Sequence, residues 1–227
     1  MTKVFHFTRA FTLIEMIVVL AIIVIMMALV YPAYTTISER AKATKDMSNL
    51  RQIGIATQTY LNDNDGVLFS PATTWMSQLE PKYVSLWRGF QSPFDKRPPS
   101  ELGDGTTPIS YGVNVNIYPN NAAMSATKIT NPTGFILFAP AQDSTATVKF
   151  QGTANTAAPG VTLLGNNNTV TSTPGGVPIG GTHNNRQRIN ALFADLHCET
   201  MSWSAFTSTP ASVPGQPNQW SPYWPYP

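Results

Sequence analysis

The stretch Ala10-Phe11-Thr12-Leu13-Ile14-Glu15-Met16-Ile17-Val18-Val19-Leu20-Ala21-Ile22-Ile23-Val24-Ile25-Met26-Met27-Ala28-Leu29-Val30-Tyr31-Pro32 decides how the rest of the chain is read. From Phe11 to Val30 it is apolar apart from Thr12 and Glu15. A helix of about 20 residues spans roughly 30 Å, the hydrocarbon thickness of a bilayer. A secretory signal core is shorter, roughly 7–15 residues, and leads to a small-residue cleavage site. Here the pattern runs on past Tyr31-Pro32-Ala33 without an obvious one. A membrane-spanning helix is therefore expected over 11–31.

Around this run the chain is sparsely charged. Its 227 residues hold 14 Lys+Arg and 12 Asp+Glu, a net charge of +2, and only 11% are charged. An ordinary soluble domain has about 25%. That balance, with no basic cluster, gives no footprint for nucleic acid. A single Cys, Cys198, excludes an internal disulfide framework and a Cys-based zinc cluster. Abundant Thr, Asn, Gly and Pro fit an exported surface. Lys3 and Arg9 precede the apolar run, while Arg40, Lys42 and Lys45 follow at greater distance. The nearer pair sets the expectation of a cytoplasmic N-terminus.

Glu15 is the informative residue. A carboxylate in a spanning helix costs roughly 2.5–3.5 kcal/mol on insertion scales. Snorkelling to the interface is one way to relieve it. The other is a positive partner. No Lys or Arg lies between Arg9 and Arg40. The partner is then Arg9 or a new cation, such as an α-amine made by cleavage before Phe11.

Ala10-Phe11-Thr12-Leu13-Ile14-Glu15-Met16, followed by the apolar run and by Pro32 between Tyr31 and Tyr34, resembles the processing motif of type IV pilins and type II secretion pseudopilins. The resemblance implies that a prepilin peptidase cuts a leader, residues 1–10, between Ala10 and Phe11, and that the new amine is methylated. It also implies that Glu15 supports assembly and that Pro32 kinks the helix. The implied partners are other copies, other pilins or pseudopilins, and an inner-membrane assembly platform. The implied location is the inner membrane, single-pass with the head in the periplasm, then a periplasmic or cell-surface filament. The family usually has Gly where Ala10 stands. Cleavage there takes Lys3 and Arg9 from the 14 basic residues and leaves 12 against 12 acidic ones. The Phe11 ammonium and a neighbouring subunit's Glu15 are then strongly favoured as a pair over two isolated ions in low dielectric.

Beyond the span, Ile37 to Leu61 reads as an amphipathic helix. Ile37, Ala41, Met47, Leu50, Ile53, Thr57, Tyr60 and Leu61 recur at three- and four-residue spacing. Gly54 weakens that helix by about 1 kcal/mol relative to Ala. With Pro32 as a kink, residues 12–61 are expected to form one helix about 75 Å long. Asn62-Asp63-Asn64-Asp65-Gly66 ends it. As an EF-hand the string fails, because Gly66 at position six puts Leu61 first and Ala72 twelfth. Calcium then rests only on the loop-bound ion of some secretion pseudopilins.

The expected fold class is α+β: a long kinked N-terminal helix, membrane half plus amphipathic half, packed on an antiparallel β-sheet head with long loops. The expected divisions are 1–10 leader, 11–31 membrane or filament-core helix, 32–62 amphipathic half, 63–206 head and 207–227 tail. Trp75 to Leu86 reads as a short helix and Pro93 to Pro108 as irregular. Strands are expected at Tyr111–Ile117, Gly134–Ala139, Thr147–Gln151, Val161–Leu164, Ile189–Ala194 and Cys198–Trp203, the last two as a hairpin. Gly152 to Gly181 reads as loop rather than core. The Pro- and aromatic-rich segment Thr207–Pro227 reads as an extended tail.

A second similarity is scattered over residues 60–200. Tyr60, Asn64-Asp65-Gly66, Ser110-Tyr111-Gly112-Val113-Asn114, Phe135-Ile136-Leu137-Phe138-Ala139 and His183 through Asp195 resemble a head module of planctomycete and verrucomicrobial pilin-like proteins. That module is named for a His, nine residues and Asp-Gly. Here eleven residues separate His183 from Asp195, and Leu196 replaces the Gly.

His6 falls within the leader. Asp195, His197, Cys198 and Glu199 form the densest ligand cluster. On a strand His197 and Glu199 share a face, and His183 would make a third zinc ligand. His183, Asp195 and His197 are thus weak metal candidates, set against the plainer reading of a polar hairpin turn. No serine elbow, phosphate-cradling loop or two-His zinc helix is present. No metal, cofactor or enzymatic activity is expected. The expected role is a structural subunit. The alternative is a membrane-anchored, non-polymerising binding module with a ligand- or metal-binding head. A secreted metalloenzyme is a third reading.

Overall fold

Helix α1 runs from Leu13 to Asp63, 51 residues without interruption. The computed structural model describes residues 12–142, 147–163, 171–172 and 178–207. Ala10, Phe11 and the tail from Ser208 on lie outside the described residues. α1 continues through Pro32. Pro32 has no N–H, so the Ala28 carbonyl lacks its usual helix partner. The chain divides after Ala41 into two compact units.

In the first unit the side chains from Thr12 to Tyr31 are exposed. Its apolar window has a mean hydropathy of 3.1, and none of it is buried. The helix is long and apolar enough to cross a membrane. Ile37 and Ala41, expected on the core face, are exposed as well. The buried face of α1 starts only at Asp46 and continues through Asn49, Leu50, Ile53, Ala56 and Thr57.

The second unit is built on a five-stranded sheet ordered β3-β1-β2-β6-β7. Its strands are β1 (Tyr111–Asn114), β2 (Ile136–Pro140), β3 (Thr162–Leu163), β6 (Arg188–Phe193) and β7 (Cys198–Ser202). β4 (Thr171–Ser172) and β5 (Pro178–Ile179) form a separate two-stranded ribbon. The expected all-antiparallel sheet is corrected at one edge. β3 lies parallel to β1, with Val113 opposite Thr162. The connection from β1 to β3, residues 115–161 and passing through β2, is long enough for the crossover that a parallel neighbour needs.

Both faces of the sheet are covered. Tyr111, Val113, Phe138 and Leu192 join α1 and the short helix α2 (Trp75–Leu79) in the larger core. Ile189, Ala191 and Phe193 alternate to the opposite face. There they meet Trp203 and Phe206 of α3 (Trp203–Thr207). Alternation breaks in β2, where the register shifts between Ile136 and Phe138. Gly54 lies where α1 meets the sheet: a Cβ there would stand 3.1 Å from Leu192 Cδ1. The weak helix former in mid-helix thus allows close packing.

Three local expectations are also corrected. α2 stops at Leu79 rather than Leu86, because Pro81 follows and supplies no N–H. Thr147–Gln151 forms no strand, although Phe150 is buried. The neighbouring Gly152 carbonyl accepts instead from Ile109 N and from Arg97 Nη1. Gly152–Gly181 is not all loop, since it contributes β3, β4, β5 and the buried Ala154 and Leu163.

Candidate functional site

Thr12 and Glu15 close the start of α1. Glu15 Oε2 accepts from Thr12 N and from Thr12 Oγ1, each at 2.8 Å, and Glu15 N donates to Thr12 Oγ1 at 3.3 Å. This is a capping box, in which residues three apart satisfy each other's free backbone groups. The spacing Thr-x-x-Glu just before an apolar run is its sequence signature, and it was available from the sequence alone. Glu15 therefore has a partner within its own helix as well as any cation from outside.

A polar centre that the sequence did not reveal lies in the second unit. Asp46 is fully buried. Its Oδ1 accepts from Ser92 Oγ at 2.5 Å and from Tyr111 Oη at 2.8 Å, and its Oδ2 accepts from Asn190 Nδ2 at 2.9 Å. Asn190 also donates to the Ala43 carbonyl and accepts from Thr200 Oγ1. One carboxylate thus joins α1 to β1, to β6 and to the segment before β1. Burial pushes the Asp46 carboxyl above the ordinary range, against the three donors that favour its charge. Burial, followed by the nearby Asp46 charge, pushes the Tyr111 phenol up as well. The group is enclosed, so its role is to anchor rather than to react.

The metal candidates do not converge. His183 is buried, stacks on Phe94 and shares a hydrogen bond with Thr182 Oγ1. Its backbone pairs with Arg188, at the start of β6. Asp195 and His197 lie past the far end of that strand, 2.5 Å apart, with the His197 ring stacked on Phe193. β7 begins at Cys198, so His197 belongs to the turn and shares no strand face with Glu199. Cys198 is half-buried, and burial raises its thiol, which makes it a poor nucleophile. Among the described residues no three His, Cys, Asp or Glu are placed to hold a metal ion. In the string that ends α1, Asp63 is engaged by Lys82 Nζ at 2.8 Å and Tyr83 Oη at 2.9 Å. Gly66 N caps the Leu61 carbonyl.

Residues 7–31 match the family described as the prokaryotic N-terminal methylation motif. Comparison with curated proteins and with solved structures gives no match. The matched segment covers the Ala10-Phe11 junction, the Thr12–Glu15 box and the apolar half of α1, and stops short of the head. The N-terminus is therefore type IV pilin-like. It is similar to the N-termini of prepilin-type substrates, and its apolar helix fits a membrane-anchored precursor.

Proposed function

We propose that this chain is a structural subunit, a pilin-like protein or pseudopilin of a type IV pilus or type II secretion pseudopilus. A prepilin peptidase cuts it between Ala10 and Phe11, and the new amine is methylated. Before assembly it sits in the inner membrane with its head in the periplasm. It then passes through the assembly platform into a periplasmic or surface filament, alone or with other pilins.

One observation carries this reading. The methylation motif falls on the first part of α1, where the apolar side chains from Leu13 to Tyr31 are exposed, with one acid four residues after Phe11. Apolar side chains left in water are costly, so that surface requires lipid or other helices. Cleavage supplies a cation at Phe11. In a stagger of parallel helices, a neighbour's Glu15 neutralises it inside an apolar core. Pro32 leaves one carbonyl without its helix bond and gives the helix a place to bend as it packs. The chemistry is then done on this protein rather than by it.

Mass spectrometry of the mature N-terminus tests the proposal. The expected result is a chain beginning at Phe11 with one added methyl, recovered in a filament fraction. A chain that still begins at Met1 in that fraction removes the reading.

A further inference from the structure

Within the head unit a groove of about 500 Å³ runs between α1 and the segment 82–89. Its floor is a helical stripe from Lys45 to Thr59 with Ile55 at its edge, and its wall carries Lys82, Leu86 and Arg88. No Asp or Glu lines it. Lys82 is paired with Asp63, whereas Lys45 and Arg88 form no ion pair among the described residues. Ile55 is 67% exposed and Leu86 58%. The groove therefore offers two bare aliphatic side chains among three cationic ones, with Asp63 on Lys82 and the Glu101 carboxylate on Arg88 N at its rim.

The complementary feature lies on the same head. Leu102 is 77% exposed, and it stands between Glu101 and, two residues on, Asp104. Its loop is held in shape. Gly103 adopts φ +68° against the Trp87 indole, where a Cβ would come within 2.8 Å. Asp104 accepts from Thr106 N and Thr106 Oγ1 at 2.9 and 2.6 Å. Glu101 accepts from Arg88 N at 3.2 Å, which ties the loop to the rim of the groove. Leu102 nevertheless stays exposed, so it does not fill the groove of its own molecule. A preformed apolar knob costs little entropy to dock, and flanking carboxylates match flanking cations.

We propose that the groove receives the Leu102 loop of a second copy, with Leu102 between Ile55 and Leu86 and with Glu101 and Asp104 facing Lys45 and Arg88. In the filament the contact repeats head to tail, the knob of each copy in the groove of the next, rather than being exchanged within a two-fold pair. This rests on the filament reading above, to which it adds the head contact.

The test uses the full-length chain in membranes whose wild-type filaments have first been seen by electron microscopy. In a Cys198→Ser background, Ile55→Cys and Leu102→Cys are combined and the sample is oxidised. The expected result is a ladder of covalent multimers, absent from either single variant. Leu102→Asp is expected to lose filaments while its N-terminus is still processed at Phe11, and Leu102→Met to keep them. Filaments that give no ladder overturn the head contact and leave the filament reading standing. A ladder that stops at the dimer overturns the head-to-tail repeat. Filaments retained by Leu102→Asp overturn the contact as well. Absence of wild-type filaments overturns both readings before any oxidation is done.

Discussion

Glu15 has two possible jobs, and the choice of substitution separates them. As a cap it needs only an acceptor oxygen for Thr12 N and Thr12 Oγ1. As a counter-ion for a neighbour's Phe11 amine it needs its charge. Glu15→Gln keeps the acceptor and loses the charge, so it is expected to abolish assembly as fully as Glu15→Leu. Thr12→Val loses the hydroxyl and keeps the charge, so it is expected to assemble. Sheared filament yield at equal membrane content is the readout. Filaments from Glu15→Gln would reduce the residue to a cap worth about 1 kcal/mol. Asp46 makes a second prediction at this scale. Burial raises its folded pKa above the unfolded one, so the folded head binds the proton more readily. That stabilisation is fully present below the unfolded value, about 4, and is lost as pH rises through the folded value. Asp63, held low by the Lys82 hydrogen bond, and Asp104, held low by Thr106, act in the opposite sense and are common to any variant at position 46. The melting-temperature advantage of wild type over Asp46→Ala is therefore expected to be widest near pH 4 and to narrow towards neutrality. An advantage that widens with pH would mean that the three donors outweigh burial.

The elements differ in how far the sequence announces them. α1 was legible because an unbroken apolar run and a three-four repeat are local signals. The β6–β7 hairpin was legible because Ile189, Ala191 and Phe193 alternate with polar or opposite-facing neighbours. The strand expected at Val161–Leu164 is present as β3, but its parallel pairing was not legible, because a two-residue strand takes its direction and place only from pairing with Val113 and Asn114. The same holds for the site. Ala10, Phe11, Glu15 and Pro32 are proposed from spacing over a few residues, whereas Asp46 sits in a charged run, Arg40-Ala41-Lys42-Ala43-Thr44-Lys45-Asp46, that reads as a solvated face. Its partners lie 46, 65 and 144 residues away along the chain. Gly54 shows the same override within one element. Propensity alone favours Ala there, but the sheet stands against it. Gly54→Val pushes two methyl groups towards Leu192, and overpacking of this kind costs about 1–3 kcal/mol. A lowered melting temperature is expected for Gly54→Val, while Gln58→Ala on the exposed side is expected to stay within about 0.5 kcal/mol of wild type. Equal melting temperatures for the two variants would mean that Leu192 yields freely and that the close approach does not constrain position 54.

Across the described residues, apolar exposure is concentrated in the first part of α1. Among the described residues, only four of the large hydrophobic side chains left exposed lie after Ile37: Ile55, Val67, Leu86 and Leu102. The head, in contrast, covers both faces of its sheet, and its own share of α1 is buried from Asp46 on. Solubility and folding should therefore separate at one cut. A fragment of residues 38–227 is expected to stay in solution without detergent and to unfold in a single transition, whereas the full chain requires lipid or detergent. The fragment keeps the groove and the Leu102 loop. It is still expected to sediment as a monomer, because one leucine with two flanking acids falls far short of the roughly 1,200 Å² that a stable interface buries. In the filament that weak contact acts at the high local concentration set by the packed helices, where a small affinity suffices to fix the register of the heads. Sedimentation and a thermal melt of the fragment decide the matter. Aggregation would show that the first half of α1 is needed to fold the head. Filaments built by the fragment alone would show that the apolar helix is not the core of the polymer, and would remove the physical basis for Glu15 and Phe11 as partners.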